Sequence, residues 1–155
     1  MTDGGSSIPE VRALLRVLAT GRDVLEIGAA FGEAAAAMAQ TARSVVTIEL
    51  DPERAALART RLAGLANVEL LEGDAWELIR GRGPFGLVFA DARGYDWDAI
   101  LDLVEPGGLI VKDDLTPGRP VDGDPVRERL LRDPRLAAAE LAVAPSMSVI
   151  VAAKR

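Results

Sequence analysis

The 155-residue sequence predicts an α/β domain built on a doubly wound, mostly parallel sheet of seven strands with one strand reversed. Three observations predict it. Five short apolar segments alternate with helical patterns, as in a parallel sheet covered on both faces. The first of them runs into a turn with glycines at both ends, Gly28-Ala29-Ala30-Phe31-Gly32, and an alanine-rich helix follows. The last two strand-like segments are separated by a tight turn alone, and so short a connection joins antiparallel strands but not parallel ones.

Each element has its own signal. Residues 2–7 are small and polar, and residues 1–7 read as a flexible tail. Pro9 suits a first helical turn, Ile8, Val11, Leu14, Leu15 and Leu18 recur at helical spacing, and Gly21 can end that helix. Val24 to Ile27 is an apolar strand with Glu26 inside it, and a helix is expected from Phe31 to Gln40. Ser44 to Glu49 is β-branched and reads as the second strand. Asp51 is an N-cap, Pro52 sits at the first helical position and Gly64 closes the third helix. Val68 to Leu71 is a third strand, followed by a short helix in GDAWELIRG. Gly86 to Ala90 is the fourth strand, Asp96 to Val104 a helix ending at Pro106-Gly107-Gly108, and Leu109 to Lys112 the fifth strand. Residues 113–123 carry turn formers without periodicity and read as a loop. Asp124-Pro125 opens a helix that stops before Pro134, and Leu136 to Val143 and Met147 to Ala152 are the last strands. No repeat or linker divides residues 1–155, so one domain is expected.

Composition excludes several function classes. At 49% hydrophobic and 27% charged, the chain is of globular type. A net charge of −6 gives no electrostatic reason for tight, nonspecific binding to nucleic acid or an anionic membrane, although the arginines leave room for a local basic patch. With no cysteine and no histidine, thiolate nucleophiles, histidine bases and most zinc sites are absent, so chemistry falls to carboxylates, Lys, Arg, Tyr, hydroxyls, a hard metal or a cofactor. The start lacks a basic region followed by an apolar stretch, and no apolar run approaches the roughly 20 residues of a membrane span, so the expected location is the cytoplasm.

In a doubly wound sheet, ligands sit beyond the carboxyl ends of the strands. There the sequence places Gly28 after strand one, Glu49 at the end of strand two, Asp74 after strand three, Asp91 after strand four, and Asp113 and Asp114 after strand five. The glycine turn does not meet the dinucleotide pattern, because Ala30 and Glu33 stand where glycines are needed. Glu49, with Leu50 beside it, suits the two hydroxyls of a ribose. Asp74, Ala75 and Trp76 suit an adenine, with the carboxylate for its amino group and the indole against its ring; alternatively Asp74 caps the short helix and Trp76 belongs to the core. Asp91, Asp113 and Asp114 offer oxygen ligands to a hard cation, or else merely open loops.

The segments VLEIGAAFG, TIELDPERAALAR, LLEGDAWE, FGLVFADA and EPGGLIVKDD resemble the class I S-adenosylmethionine-dependent methyltransferases, with their Rossmann-like sheet and final reversed strand. The last two segments are most similar to the cation-dependent catechol and caffeoyl O-methyltransferases. That resemblance implies S-adenosyl-L-methionine as cofactor, bound by Glu26, Gly28, Ala30, Gly32, Glu49, Leu50, Asp74, Ala75, Trp76 and Asp91. It implies Mg²⁺ or another divalent cation on Asp91, Asp113 and Asp114, and a small hydroxylated molecule as methyl acceptor. Glu26 is expected to organise the ammonium side of the cofactor. Two departures stand out. The family's lysine after the strand-four Asp falls on Gly94, which leaves Asp91 and Lys112 as catalytic candidates, and Asp114 replaces an Asn. With one helix before strand one, the acceptor site is either open or closed by a second subunit in a homodimer, and Tyr95, Trp97 and residues 115–123 are its expected walls. Other readings of the same site are a polyamine-type aminopropyltransferase, an RNA methyltransferase, which the acidic charge disfavours, and a cofactor-binding module without catalysis.

Overall fold

The computed structural model describes residues 6–155, so residues 1–5 of the expected tail lie outside the described residues. Its last two members are not tail-like. The Ser6 hydroxyl donates to Glu33, Ser7 is buried, and the Arg12 guanidinium donates to the Ser7 carbonyl.

The elements run α1 (Pro9–Leu18), β1 (Asp23–Ile27), α2 (Glu33–Ala39), β2 (Ser44–Glu49), α3 (Pro52–Leu62), β3 (Val68–Glu72) and α4 (Ala75–Leu78). They continue with β4 (Phe85–Ala90), α5 (Trp97–Leu103), β5 (Val104–Leu115), α6 (Pro125–Arg132), β6 (Leu136–Ala144) and β7 (Met147–Lys154). The seven strands form one sheet in the order β3-β2-β1-β4-β5-β7-β6. Neighbours from β3 to β5 are parallel, and β7 lies antiparallel to both β5 and β6, so it is the reversed strand.

The helix starts follow the capping chemistry of the sequence. Asp51 accepts from the amides of Glu53 and Arg54, and Asp124 from those of Val126 and Arg127, each with a proline in the first turn. Two expectations change. The second helix begins at Glu33 rather than Phe31, because the chain stays in a left-handed turn through Gly32 at φ +80°. The fifth strand is far longer than Leu109–Lys112: it takes in Pro106-Gly107-Gly108 on one side and Asp113-Asp114 on the other. Turn-forming residues are tolerated there because β4 and β7 both pair with β5, with a register shift on each side.

Alternate strand residues fill two cores. Leu25, Ile27, Val88, Ile110 and Ile150 pack with Ile79, Ile100, Leu101 and Leu130 of the α4–α6 side. Val24, Val45, Leu87, Phe89, Val111 and Val149 pack with Val11, Leu15, Met38 and Leu62 of the α1–α3 side. Among the described residues no helix is long and apolar enough to cross a membrane.

Candidate active site

The turn after β1 and the turn after β4 touch. Gly28 has φ +99°, and a Cβ there would lie 2.6 Å from the Asp91 carbonyl oxygen, so glycine is required both by conformation and by space. The Asp91 amide donates to the Ile27 carbonyl, and the amides of Gly28 and Ala29 both donate to that of Ile48. Ala30 is held at φ +47°, an uncommon conformation for a residue with a side chain. Its amide donates to Glu49 Oε2 at 2.7 Å, while Glu49 Oε1 accepts from the Asp51 amide at 3.0 Å. Glu49 thus ties the glycine turn to the start of α3. Each carboxylate oxygen carries a second lone pair, so the side chain can still accept from a ligand's hydroxyls. Beside it Leu50 is 71% exposed, an apolar side chain held out next to the Glu49 carboxylate.

Beneath the turn, Glu26 is buried in β1 opposite its register partner Thr47, whose hydroxyl donates to Glu26 Oε2 at 2.5 Å. Burial pushes the Glu26 carboxyl up to about 8, with the Thr47 hydrogen bond opposing and the Asp113 and Glu49 carboxylates adding to the rise. Its Oε1 is buried without a hydrogen-bond partner among the described residues. Thr47 went unnoticed in the sequence, although a polar residue interrupting β2 level with the one interrupting β1 is a readable signal once the register is known.

At the end of β3, Asp74 is exposed and caps α4 through the Trp76 amide at 2.8 Å, and Trp76 packs half-buried against the core. The capping role and the surface position hold together, since only one carboxylate oxygen of Asp74 serves as the cap.

The three aspartates converge. Asp91, Asp113 and Asp114 each bring a carboxylate oxygen to within 4.8 Å of the others. The bulge between Lys112 and Leu115 makes this possible: Asp114 at φ +58° breaks the strand alternation, so two consecutive residues serve one site. Asp113 is buried, Asp114 exposed and Asp91 between them. Burial and the neighbouring carboxylates hold both Asp91 and Asp113 well above the ordinary carboxylate range. Lys112 opposes this: its ammonium donates to the Asp113 carbonyl at 2.7 Å but stands 3.7 Å from Oδ1, which has no hydrogen-bond partner among the described residues. Tyr95 and Trp97 stack beside the cluster with ring centroids 4.5 Å apart, and the Lys112 ammonium lies 5.8 Å from the Tyr95 ring centroid. Burial, then the charge of Asp91, raises the Tyr95 phenol beyond its usual value, so it stays neutral and donates to the Ala90 carbonyl.

Crowded carboxylates with an orphaned buried oxygen fit a hard divalent cation, which takes oxygen ligands and would offset their repulsion. The orphaned Oε1 of Glu26 and the free lone pairs of Glu49 likewise fit a polar ligand with an ammonium group and a ribose.

Comparisons with known proteins bear on the family and the fold. The protein-L-isoaspartate O-methyltransferase of Rhodopseudomonas palustris is 36% identical over 118 residues, which are 74% of this chain and 51% of that relative. The chain thus spans about half the length of the curated relatives it matches. Among solved structures, the O-methyltransferase TomG from Streptomyces achromogenes, in complex with SAM, superposes with a TM-score of 0.81 at 26% identity, covering 99% of this chain and 83% of its own. An O-methyltransferase from Bacillus cereus, in complex with SAH, shares the fold with a TM-score of 0.82 at 24% identity, covering 97% of this chain and 83% of its own. A family model described as a methyltransferase domain matches residues 24–108, from β1 through the Pro-Gly-Gly of β5, and the chain belongs to that family.

Proposed function

We propose that this chain moves the methyl group of S-adenosylmethionine to an oxygen of a small hydroxylated molecule, with a divalent cation held by Asp91, Asp113 and Asp114. The convergence of those three carboxylates at the mouth of the glycine turn is the observation that carries the reading. The S. achromogenes structure, which contains SAM, supports the choice of cofactor.

In this reading the free lone pairs of Glu49 accept the ribose hydroxyls, Leu50 and Trp76 offer apolar surface to the adenine, and Glu26 Oε1 faces the ammonium end. When bound, a divalent cation favours the anionic form of an acceptor hydroxyl and fixes its direction. The acceptor hydroxyl gives its proton to solvent water, its oxygen attacks the methyl carbon, the carbon–sulfur bond breaks, and the neutral thioether leaves. The chain's task is placement: the stacked Tyr95 and Trp97 supply a flat wall, and the triad fixes the acceptor end. Lys112, bound to the Asp113 carbonyl, serves as a counter-ion of the triad rather than as the base.

The relatives' name suggests a second reading, methyl transfer to an isoaspartyl carboxylate of a protein. A hydroxyl must lose its proton before methylation, which a cation on the triad would favour, whereas an isoaspartyl carboxylate is already ionised and needs no such help, so the triad favours the hydroxyl acceptor. A radiometric assay separates the two. Catechol-type acceptors should turn over with Mg²⁺ and stop with a chelator, and Glu49→Ala should weaken S-adenosylhomocysteine binding by roughly tenfold. Methylation of an isoaspartyl peptide that ignores the chelator would overturn the proposal.

A further inference from the structure

The two edges of the sheet are built differently. At one end, β3 has five residues, and its exposed Glu69 and Glu72 pair with Arg82 and Arg59. Short length and outward charge are the usual protection against pairing with another strand. At the other end, β6 has nine residues, LAAAELAVA, with no lysine, arginine or proline. Its one charged residue, Glu140, turns inward: its carboxylate accepts from Arg127 at 2.8 and 2.7 Å and from the Ser148 hydroxyl. Leu141 is 45% exposed, and Ala137, Ala139 and Ala142 are exposed with it.

The main chain of this edge has a definite pattern. The Arg155 amide donates to the Arg135 carbonyl, which fixes the alternation along the β6–β7 ladder. Stepping by two through the register, Ala137, Ala139 and Leu141 exchange bonds with Ala153, Val151 and Val149. The intervening residues Leu136, Ala138, Glu140 and Ala142 therefore direct their amides and carbonyls away from the sheet. The Leu136 amide is taken by the Asp133 carbonyl. Among the described residues Ala138, Glu140 and Ala142 remain, evenly spaced, and the irregularity of the strand comes only after Ala142.

That arrangement is complementary to itself. Placed antiparallel about a twofold axis at Glu140, β6 sets Ala138 against the partner's Ala142, and Glu140 against the partner's Glu140. The three residues on each side then close six N–H···O=C bonds. On the opposite face Leu141 falls against the partner's Ala139, a large side chain facing a small one, twice over. The two Glu140 carboxylates do not confront each other bare, since each is already held by Arg127 of its own chain. We infer that β6 joins two copies of this chain edge to edge into a homodimer with one continuous sheet. The Asp91, Asp113 and Asp114 cluster lies at the ends of β4 and β5, with β7 between it and β6, so the site stays open to ligands on both subunits.

Sedimentation equilibrium of the full chain should show a dimer. Ala138→Pro removes an outward amide without touching the β7 ladder, and Leu141→Lys puts a charge on the seam; each should weaken association at least tenfold. Both should leave S-adenosylhomocysteine binding and the circular dichroism spectrum unchanged, which shows that the fold survives. Because the chain has no cysteine, register can be tested independently: Ala139→Cys mixed with Leu141→Cys should give a disulfide-linked dimer, and neither alone should do so. A monomer at high concentration, a dimer that both variants leave intact, or cross-linking of either variant by itself would overturn the inference.

Discussion

Glu26 shows how one buried carboxyl turns burial into a pH dependence. The folded chain holds it at about 8 against an ordinary value of 4.5, because burial disfavours the anion more than the Thr47 hydroxyl favours it. The fold therefore binds this proton more tightly than the unfolded chain does. Its stabilising contribution is complete below the unfolded value and is lost as pH rises through the folded one. Glu26→Gln keeps an acceptor for Thr47 and removes the ionisation. Urea denaturation should find the variant close to the wild type at about pH 5 and more stable than it by at least about 1 kcal/mol at about pH 9. A stability difference that stays level across that range would show that Glu26 is ionised in the fold.

At the scale of elements, α6 is fastened by one arginine. Arg127 is almost fully buried; it donates to Glu140, to Asp124 at its own helix cap, and to the Thr116 carbonyl at 2.7 Å. Those partners belong to β6, the start of α6, and the segment leaving β5, so one guanidinium joins three pieces of chain. Arg127→Ala leaves Glu140 facing a cavity with only Ser148 as partner, and should cost about 3–5 kcal/mol in chemical denaturation. Replacing both partners, Arg127→Met with Glu140→Leu, should recover most of that loss, because no charge is then left buried. The double variant falling as far as the single one would assign the cost to lost packing. None of this was legible in the sequence, where Arg127 is one arginine among several in a polar helix. The caps were legible, because Asp51 and Asp124 act on amides two and three residues away. β5 was legible only at its apolar centre. Its ends carry Pro106-Gly107-Gly108 and Asp113-Asp114, and they are strand only because β4 and β7 pair with them.

Over the whole molecule, the reversed strand could be read from the tight turn before β7, but its place between β5 and β6 could not, since strand order is set by packing between distant segments. The acidic triad could be anticipated, because ligands gather at strand ends in such sheets. The bulge that aims Asp113 and Asp114 at one point depends on pairing with β7 and has no local signature. Convergence of three carboxylates has a consequence for the stability of the entire chain. Without a cation their repulsion opposes folding, and a cation that binds the folded state alone stabilises it by mass action. Mg²⁺ at a hundredfold excess over its dissociation constant should add about 2.7 kcal/mol. In a domain of this size that corresponds to roughly 5–10 °C in Tm. Asp113→Asn should move the two states in opposite directions. It raises the Tm of the metal-free chain by relieving repulsion at the buried member of the triad, and it removes most of the gain from Mg²⁺. Because the ligands must lose their protons to bind, the wild-type gain should also grow as pH rises. Calorimetric melts of both proteins, with Mg²⁺ and with a chelator, measure all of these shifts. An equal Mg²⁺ shift in the wild type and in Asp113→Asn would place any bound cation elsewhere on the chain.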